Sequence, residues 1–181
     1  MPAILSNGIT IEHESFGDPA APCIVLVMGL GMQLIAWPEP FCQHLADHGF
    51  RVIRFDNRDI GLSTKLDHLG APSLRLALLR SLLRLPVRSG YTLDDMARDT
   101  LGLMDALTVR RAHLVGASMG GMIAQIMAAR APDRAISLAS IMSSSGARNL
   151  PGPTPRVIRV IGRRQPPLRD FDRLVGHYIE L

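Results

Sequence analysis

The chain has 181 residues, 47% of them hydrophobic and 20% charged, which suits one soluble domain with a sizeable core. Its formal charge is +4, carried almost wholly by arginine because Lys65 is the only lysine. No basic stripe is interleaved with aromatics, no unbroken apolar run reaches the length of a membrane span, and two cysteines make no disulfide framework. Nucleic-acid and transmembrane classes are therefore set aside, and a reduced, cytoplasmic setting is expected, with no signal peptide read at the start. In chain order, Ile4-Leu5 and Ile9-Thr10-Ile11 flank Asn7-Gly8, which predicts a hairpin with a type I′ turn. Cys23 to Met28 (CIVLVM) reads as a strand buried on both faces. Gly29, Gly31 and Pro38 mark a loop, and a helix is expected from about Pro40 to His48, stopped by Gly49.

Phe50 to Phe55 reads as the next strand. Ser73 to Leu85 reads as a Leu-rich helix ended by Pro86, with Arg80, Arg84 and Arg88 on one face. It is expected to be a lid or packing helix rather than a membrane-surface helix. Thr92-x-x-Asp95 resembles a capping box, and Leu93, Met96, Ala97, Leu101, Met104 and Leu107 follow at helical spacing. Ala112 to Gly116 is a short strand, Met119 to Arg130 a helix ended by Pro132, and Ala135 to Met142 a strand. This alternation predicts an α/β fold: a mostly parallel sheet with helices on both faces and a site at the carboxyl ends of the strands. From Ser143 a serine run and five prolines from Pro151 to Pro167 break the pattern, so residues 1–144 and 145–181 are read as separate parts.

The stretch Gly116-Ala117-Ser118-Met119-Gly120 is a G-x-S-x-G between a predicted buried strand and a predicted helix, the setting in which such a serine becomes a nucleophile. The turn must be tight enough to raise Ser118 Oγ above the sheet. The residues two before and two after then crowd each other, which Gly116 and Gly120 allow. The helix that follows aims its positive N-terminal end at developing negative charge, and the Met119 N–H is one expected oxyanion donor. The Leu30 N–H, in the glycine-flanked loop after CIVLVM, is the expected second. The alternative for Ser118 alone is an ordinary helix N-cap.

With these residues in hand, the chain resembles the α/β-hydrolase superfamily. Phe55-Asp56-Asn57-Arg58-Asp59-Ile60-Gly61-Leu62-Ser63 is similar to that family's D-x-R-G-x-G-x-S segment, with Asp59 where Gly is usual. This form is closer to the branch of anthracycline methyl esterases and small carboxylesterases. Ala131-Pro132-Asp133-Arg134 resembles the segment before the sixth strand, and Met28 stands where the family often has histidine. The resemblance spans about residues 1 to 145. It implies a serine hydrolase that cleaves a carboxylic ester, with Ser118 as nucleophile and no cofactor or metal. It also implies that residues 145–181 begin a helical cap domain. The family's chain order of Ser, acid, His implies that the acid and the histidine follow two strands not read in this chain, beyond residue 181. A second polypeptide carrying that later half is one source of them.

Asp170 or Asp172 with His177 has the right order, but the separations are too short for two successive strand loops. His44 and His48 sit one helical turn apart without accompanying ligands and read as surface helix. His113, Cys23 and Cys42 read as structural. Asp56 and Arg58 read as organising loops beside the site, and Trp37 either packs near its mouth or anchors its helix. A small-molecule ester is the expected partner. Carbon–carbon bond hydrolysis and perhydrolysis use the same triad and stay open. So does a catalytically inactive chain that acts as a binding or scaffold protein.

Overall fold

A computed structural model describes residues 3–70, 89–147, 150 and 154. The chain divides into two compact units, Met1–Ser145 and Gly146–Leu181. Of the second unit, the described part contains one turn, in which the Leu150 N–H donates to the Ala147 carbonyl at 3.0 Å. The predicted helix at residues 73–85, and with it Arg80 and Arg84, lies outside the described residues, as do Arg88, Asp170, Asp172 and His177.

The first unit is built on a six-stranded sheet. Strands β1 (Ala3–Ser6) and β2 (Ile9–Phe16) form the expected hairpin. Asn7 and Gly8 both take positive φ, 48° and 80°, as a type I′ turn requires. Strands β3 (Cys23–Val27), β4 (Arg51–Phe55), β5 (Ala112–Ala117) and β6 (Ala135–Ile141) complete it in the order β1-β2-β4-β3-β5-β6. β2 pairs antiparallel with β4, and β4, β3, β5 and β6 are mutually parallel neighbours. All five residues of β3 are buried, because it is central and covered on both faces.

Alternation along β3 and β4 divides the core into two layers. Ile24, Leu26 and Val52 pack on one face with Cys42 of helix α1 (Glu39–Asp47). Cys23, Val25, Val27, Ile53 and Phe55 pack on the other with helices α2 (Leu93–Ala106) and α3 (Met119–Arg130). The period-2 pattern of an extended chain thus places one helix on one side and two on the other. Among the described residues there is no seventh or eighth strand, β6 is an edge, and its Ile136, Leu138 and Ile141 are 44, 40 and 42% exposed. No helix of the described residues is long and apolar enough to cross a membrane.

Two local features lead to measurable expectations. The capping box at α2 is formed on both sides: Thr92 Oγ1 accepts from the Asp95 N–H, and Asp95 accepts from the Thr92 N–H at 2.8 Å. The Thr92 hydroxyl, and then its N–H, hold the Asp95 carboxyl below its ordinary value of 3.8. Thr92→Ala is expected to lower stability by about 1 kcal/mol at neutral pH, read from the urea midpoint. A depressed folded-state pKa stabilises above the unfolded value and is lost as pH falls through the folded one. The gap between wild type and Thr92→Ala is therefore expected to narrow below about pH 4.

Both cysteines are buried and free. Burial pushes the Cys23 thiol up to about 11 against the opposing pull of Arg51, and burial also raises that of Cys42. Neither is expected to react with iodoacetamide at pH 8 in the folded chain, and both should react in urea, as intact mass would show. A raised thiol pKa stabilises fully below about pH 9, and this contribution fades as pH climbs toward the folded value.

Candidate functional site

The strand β5 runs into α3 through a single residue, Ser118. Its backbone sits at φ 54° and ψ −121°, a region that residues with a side chain rarely adopt. That geometry reverses the chain within one residue, from strand to helix. The Ser118 N–H donates to the Ile141 carbonyl at 2.9 Å, which ties the turn to the end of β6.

Ser118 occupies the N-cap position of α3, yet its hydroxyl makes no capping hydrogen bond. The side chain is exposed while Gly116, Ala117 and Gly120 around it are buried. A serine selected for capping turns its oxygen onto the N–H groups of the first helical turn. Here the Ser118 carbonyl, not its Oγ, accepts from Gly121 at 3.0 Å and Met122 at 3.4 Å. The N–H groups of Met119 and Gly120 open the helix and have no intrahelical partner.

The tightness of the turn explains its two glycines. A Cβ on Gly116 would stand 2.2 Å from the Gly120 carbonyl oxygen. One on Gly120 would stand 2.1 Å from the Val27 carbonyl oxygen and 2.8 Å from that of Met28. The close approach therefore joins three segments: the end of β5, the start of α3 and the end of β3.

The loop after β3 lies against the same point. A Cβ on Gly29 would stand 3.1 Å from Ser118 Cβ and 3.6 Å from its Oγ. Residues 29 to 32 form a tight turn in which the Met32 N–H donates to the Gly29 carbonyl at 3.4 Å, with Gly31 at φ 72°. The third residue of such a type II turn needs positive φ, hence glycine. Leu30 is at its apex, 78% exposed, and among the described residues nothing accepts from its N–H. Ser118, Met119 and the Leu30 loop thus meet at one point, at the carboxyl ends of β3 and β5.

Next to this point lies a cavity of about 630 Å³. Leu30 and Met119 line it on the side of the turn, and Leu66, Leu93 and Met96 supply apolar wall. Its polar wall includes Asp59 and Tyr91. Burial first, and then the hydrogen bond to Asp59, push the Tyr91 hydroxyl up to about 12, so it stays protonated at neutral pH. Both its size and its mixed lining suit a small organic molecule.

The family to which this arrangement belongs is decided by comparison. The model of the family described as alpha/beta hydrolase fold matches residues 22–174. The chain belongs to the α/β-hydrolase family. Its mostly parallel sheet, with helices on both faces, is that fold, as the ordered motifs imply. Two curated relatives are rhodomycin D methylesterases. DauP of Streptomyces sp. (strain C5) is 33% identical over 142 residues, 78% of this chain and 42% of that protein. DnrP of Streptomyces peucetius is 28% identical over 98% of this chain and 59% of that protein. Among solved structures, the enol-lactonase from Burkholderia xenovorans LB400 matches at 32% identity and a TM-score of 0.57. That match covers 74% of this chain and 44% of that one. This α/β-hydrolase chain thus spans about half the length of the curated relatives it matches.

The remaining residues singled out in the sequence lie elsewhere. The rings of His44 and His48, at the end of α1, are tilted at 54° with centroids 4.4 Å apart, and among the described residues no group of three His, Cys, Asp or Glu could hold a metal ion. His113 Nδ1 pairs with Ser137 Oγ at 2.8 Å across β5 and β6. Trp37 is buried and stacks on Phe41 of α1.

Two residues that sequence reasoning passed over are Asn57 and Asp99. The Asn57 amide donates to the Met28 carbonyl at 2.9 Å. The Asp99 carboxylate accepts two bonds from Arg58, at 2.6 and 2.7 Å, and one from Asn7 at 2.8 Å. That hydrogen-bonded pair, with burial opposing it, raises the Arg58 pKa. The available signal was the polar run Asp56-Asn57-Arg58 directly after an apolar strand. All three residues prove to be buried.

Proposed function

We propose that this chain carries the nucleophile and oxyanion-binding part of a serine hydrolase acting on a small-molecule carboxylic ester. Ser118 Oγ attacks the ester carbonyl, and the N–H groups of Leu30 and Met119 receive the negative charge that develops on its oxygen. The alcohol leaves from the resulting tetrahedral adduct, and water then releases the acid from Ser118. The observation that carries this reading is Ser118 itself. A serine held in a strained left-handed conformation, with an exposed hydroxyl that caps nothing, has been given up by the helix it begins. Strain of that kind needs a return, and a nucleophile aimed out of the turn provides one.

The base that takes the Ser118 proton, and the acid that orients it, are assigned to the part of the relatives' length that this chain does not span. Among the described residues no histidine bonds to Ser118. Methyl esters are the first substrates to try, because two relatives are methylesterases. The apolar wall of the adjoining cavity supports an aromatic or alkyl acyl group. A helical cap within 145–181 belongs to the same reading.

Fluorophosphonate labelling combined with intact mass tests the proposal. Labelling that peptide mapping assigns to Ser118 is the expected result, with the His and acid found in the same polypeptide or in a co-purifying one. A single species near 19.7 kDa that neither labels nor hydrolyses a panel of aryl methyl esters overturns it.

A further inference from the structure

The loop that carries Leu30 presents a problem of placement. An N–H group stabilises an oxyanion only if it is held within a few tenths of an ångström of the right point. The loop's own side chains do not hold it: Leu30 is 78% and Met32 50% exposed. Between the Met28 carbonyl and the Leu34 N–H, the one bond within the loop is the long turn bond from Met32 to Gly29.

Both ends of this segment are tied to the same two residues. Asn57 Nδ2 donates to the Met28 carbonyl at 2.9 Å, and the Leu34 N–H donates to Asp56 Oδ1 at 2.7 Å. Asp56 and Asn57 are 3% and 2% exposed, so these bonds form away from water. The Met28 carbonyl is also closed in from the other side by Gly120, whose Cα hydrogen faces it at close range. Its orientation fixes the trans peptide Met28–Gly29, and the Gly29 carbonyl, turned onto Met32, fixes the next one. The Leu30 N–H then points opposite to the Gly29 carbonyl, out of the turn.

The anchor is itself braced. Asp56 Oδ2 accepts from the Leu62 N–H at 3.0 Å, Ser63 Oγ donates to the Asp56 carbonyl at 2.6 Å, and the next residue, Arg58, is clamped by Asp99 of α2. Three consecutive buried polar residues thus do two jobs. Two hold the loop after β3 and the third holds them to the helical layer.

We infer that Asn57 and Asp56 are positioning residues for oxyanion stabilisation, acting through the backbone of residues 28–34 to set the Leu30 N–H. The inference rests on the nucleophile reading above for its catalytic part. Its structural part, that Asn57 restrains the loop, stands on the hydrogen bonds alone.

The experiment has two readouts on the whole chain. The first is amide hydrogen exchange at Met32 and Leu34, the two N–H groups of the segment that are hydrogen bonded. In Asn57→Ala it is expected to quicken by about 10-fold or more, while β3 and β5 keep wild-type protection. Asn57→Asp keeps the size of the side chain but turns an acceptor onto the Met28 carbonyl, and it serves where the alanine variant does not fold. Exchange at Met32 and Leu34 unchanged in the folded variants overturns the inference. The second readout is ester hydrolysis. The expected result is a fall in kcat of about 10- to 100-fold with KM within about 2-fold, the signature of an interaction made only in the transition state. Faster exchange with kcat unaltered overturns the catalytic part. A wild type without Ser118-dependent turnover overturns the proposed function instead, and the exchange measurement then decides the restraint by itself.

Discussion

Replacing Ser118 by alanine is expected to lower ester hydrolysis by about 10⁴-fold or more, with substrate affinity changed by less than about 2-fold. The loss is large because Oγ is the attacking atom of the proposed reaction, whereas affinity is kept because Ser118 is not among the residues that line the adjoining cavity. A companion variant separates catalysis from fold. Ser118→Gly removes the same oxygen but accepts φ 54° without strain, whereas Ser118→Ala keeps the Cβ that makes the conformation costly. The strain is worth about 1–3 kcal/mol, and the extra freedom of glycine in the unfolded chain takes back about 0.5–1. The glycine variant is therefore expected to be the more stable of the two by about 1 kcal/mol, or about 2–4 °C in Tm. Equal or lower stability of the glycine variant in thermal unfolding would show that the turn stores no strain. Under the proposed function, reactivity and stability are opposed at this one residue, as they commonly are where a reactive group is held out of its relaxed position.

The parts of the fold that could be read from the sequence are those whose cause is local. CIVLVM has no alternation, and a strand without alternation is buried on both faces; β3 is. Asn7-Gly8 specifies its turn through two residues that tolerate positive φ. The capping box at Thr92 and the strand–turn–helix around Ser118 are equally self-contained. Helix α1 begins one residue earlier than the sequence suggests, because Pro38 takes the N-cap position and Pro40 fits its first turn, where the missing N–H costs nothing. Asn57 could not be read in this way. Its hydrogen-bond partner lies 29 residues upstream, in a loop brought alongside only by the parallel pairing of β3 with β4. Asp99 has the same difficulty: a carboxylate in an amphipathic helix looks solvated until Arg58 and Asn7 arrive from two other elements. What pairs across the sheet is a property of the topology, and no spacing within one segment encodes it.

The same crossing of elements makes Gly120 the position with the largest expected effect on the fold. Gly120→Ala would drive a Cβ to 2.1 Å from the Val27 carbonyl oxygen, a backbone atom at the end of the buried central strand. Neither partner can yield. Val27 is paired with Gly116 of β5 in the sheet, and α3 is packed through Ile123, Ala124 and Met127 into the layer below. Overpacking against side chains usually costs about 1–3 kcal/mol, and against fixed backbone the upper end or more is expected. Chemical denaturation should show a loss of about 3 kcal/mol or more. Gly121→Ala is the control. Its Cβ would meet Ser143 Cβ and Oγ at 2.6 Å, atoms in the chain just past β6, where a small shift relieves the contact. A milder loss is expected there, although both substitutions are Gly to Ala in the first turn of one helix and share the same gain in helix propensity. If the two variants were equally stable, the contact between the helix start and β3 would not be what holds the turn together. If Gly120→Ala is the weaker by the expected margin, the residue that closes the G-x-S-x-G motif is fixed by the strand beside it. The surviving folded fraction should then also lose hydrolysis, because the Met28 carbonyl that Asn57 holds would be pushed away from the turn carrying Ser118.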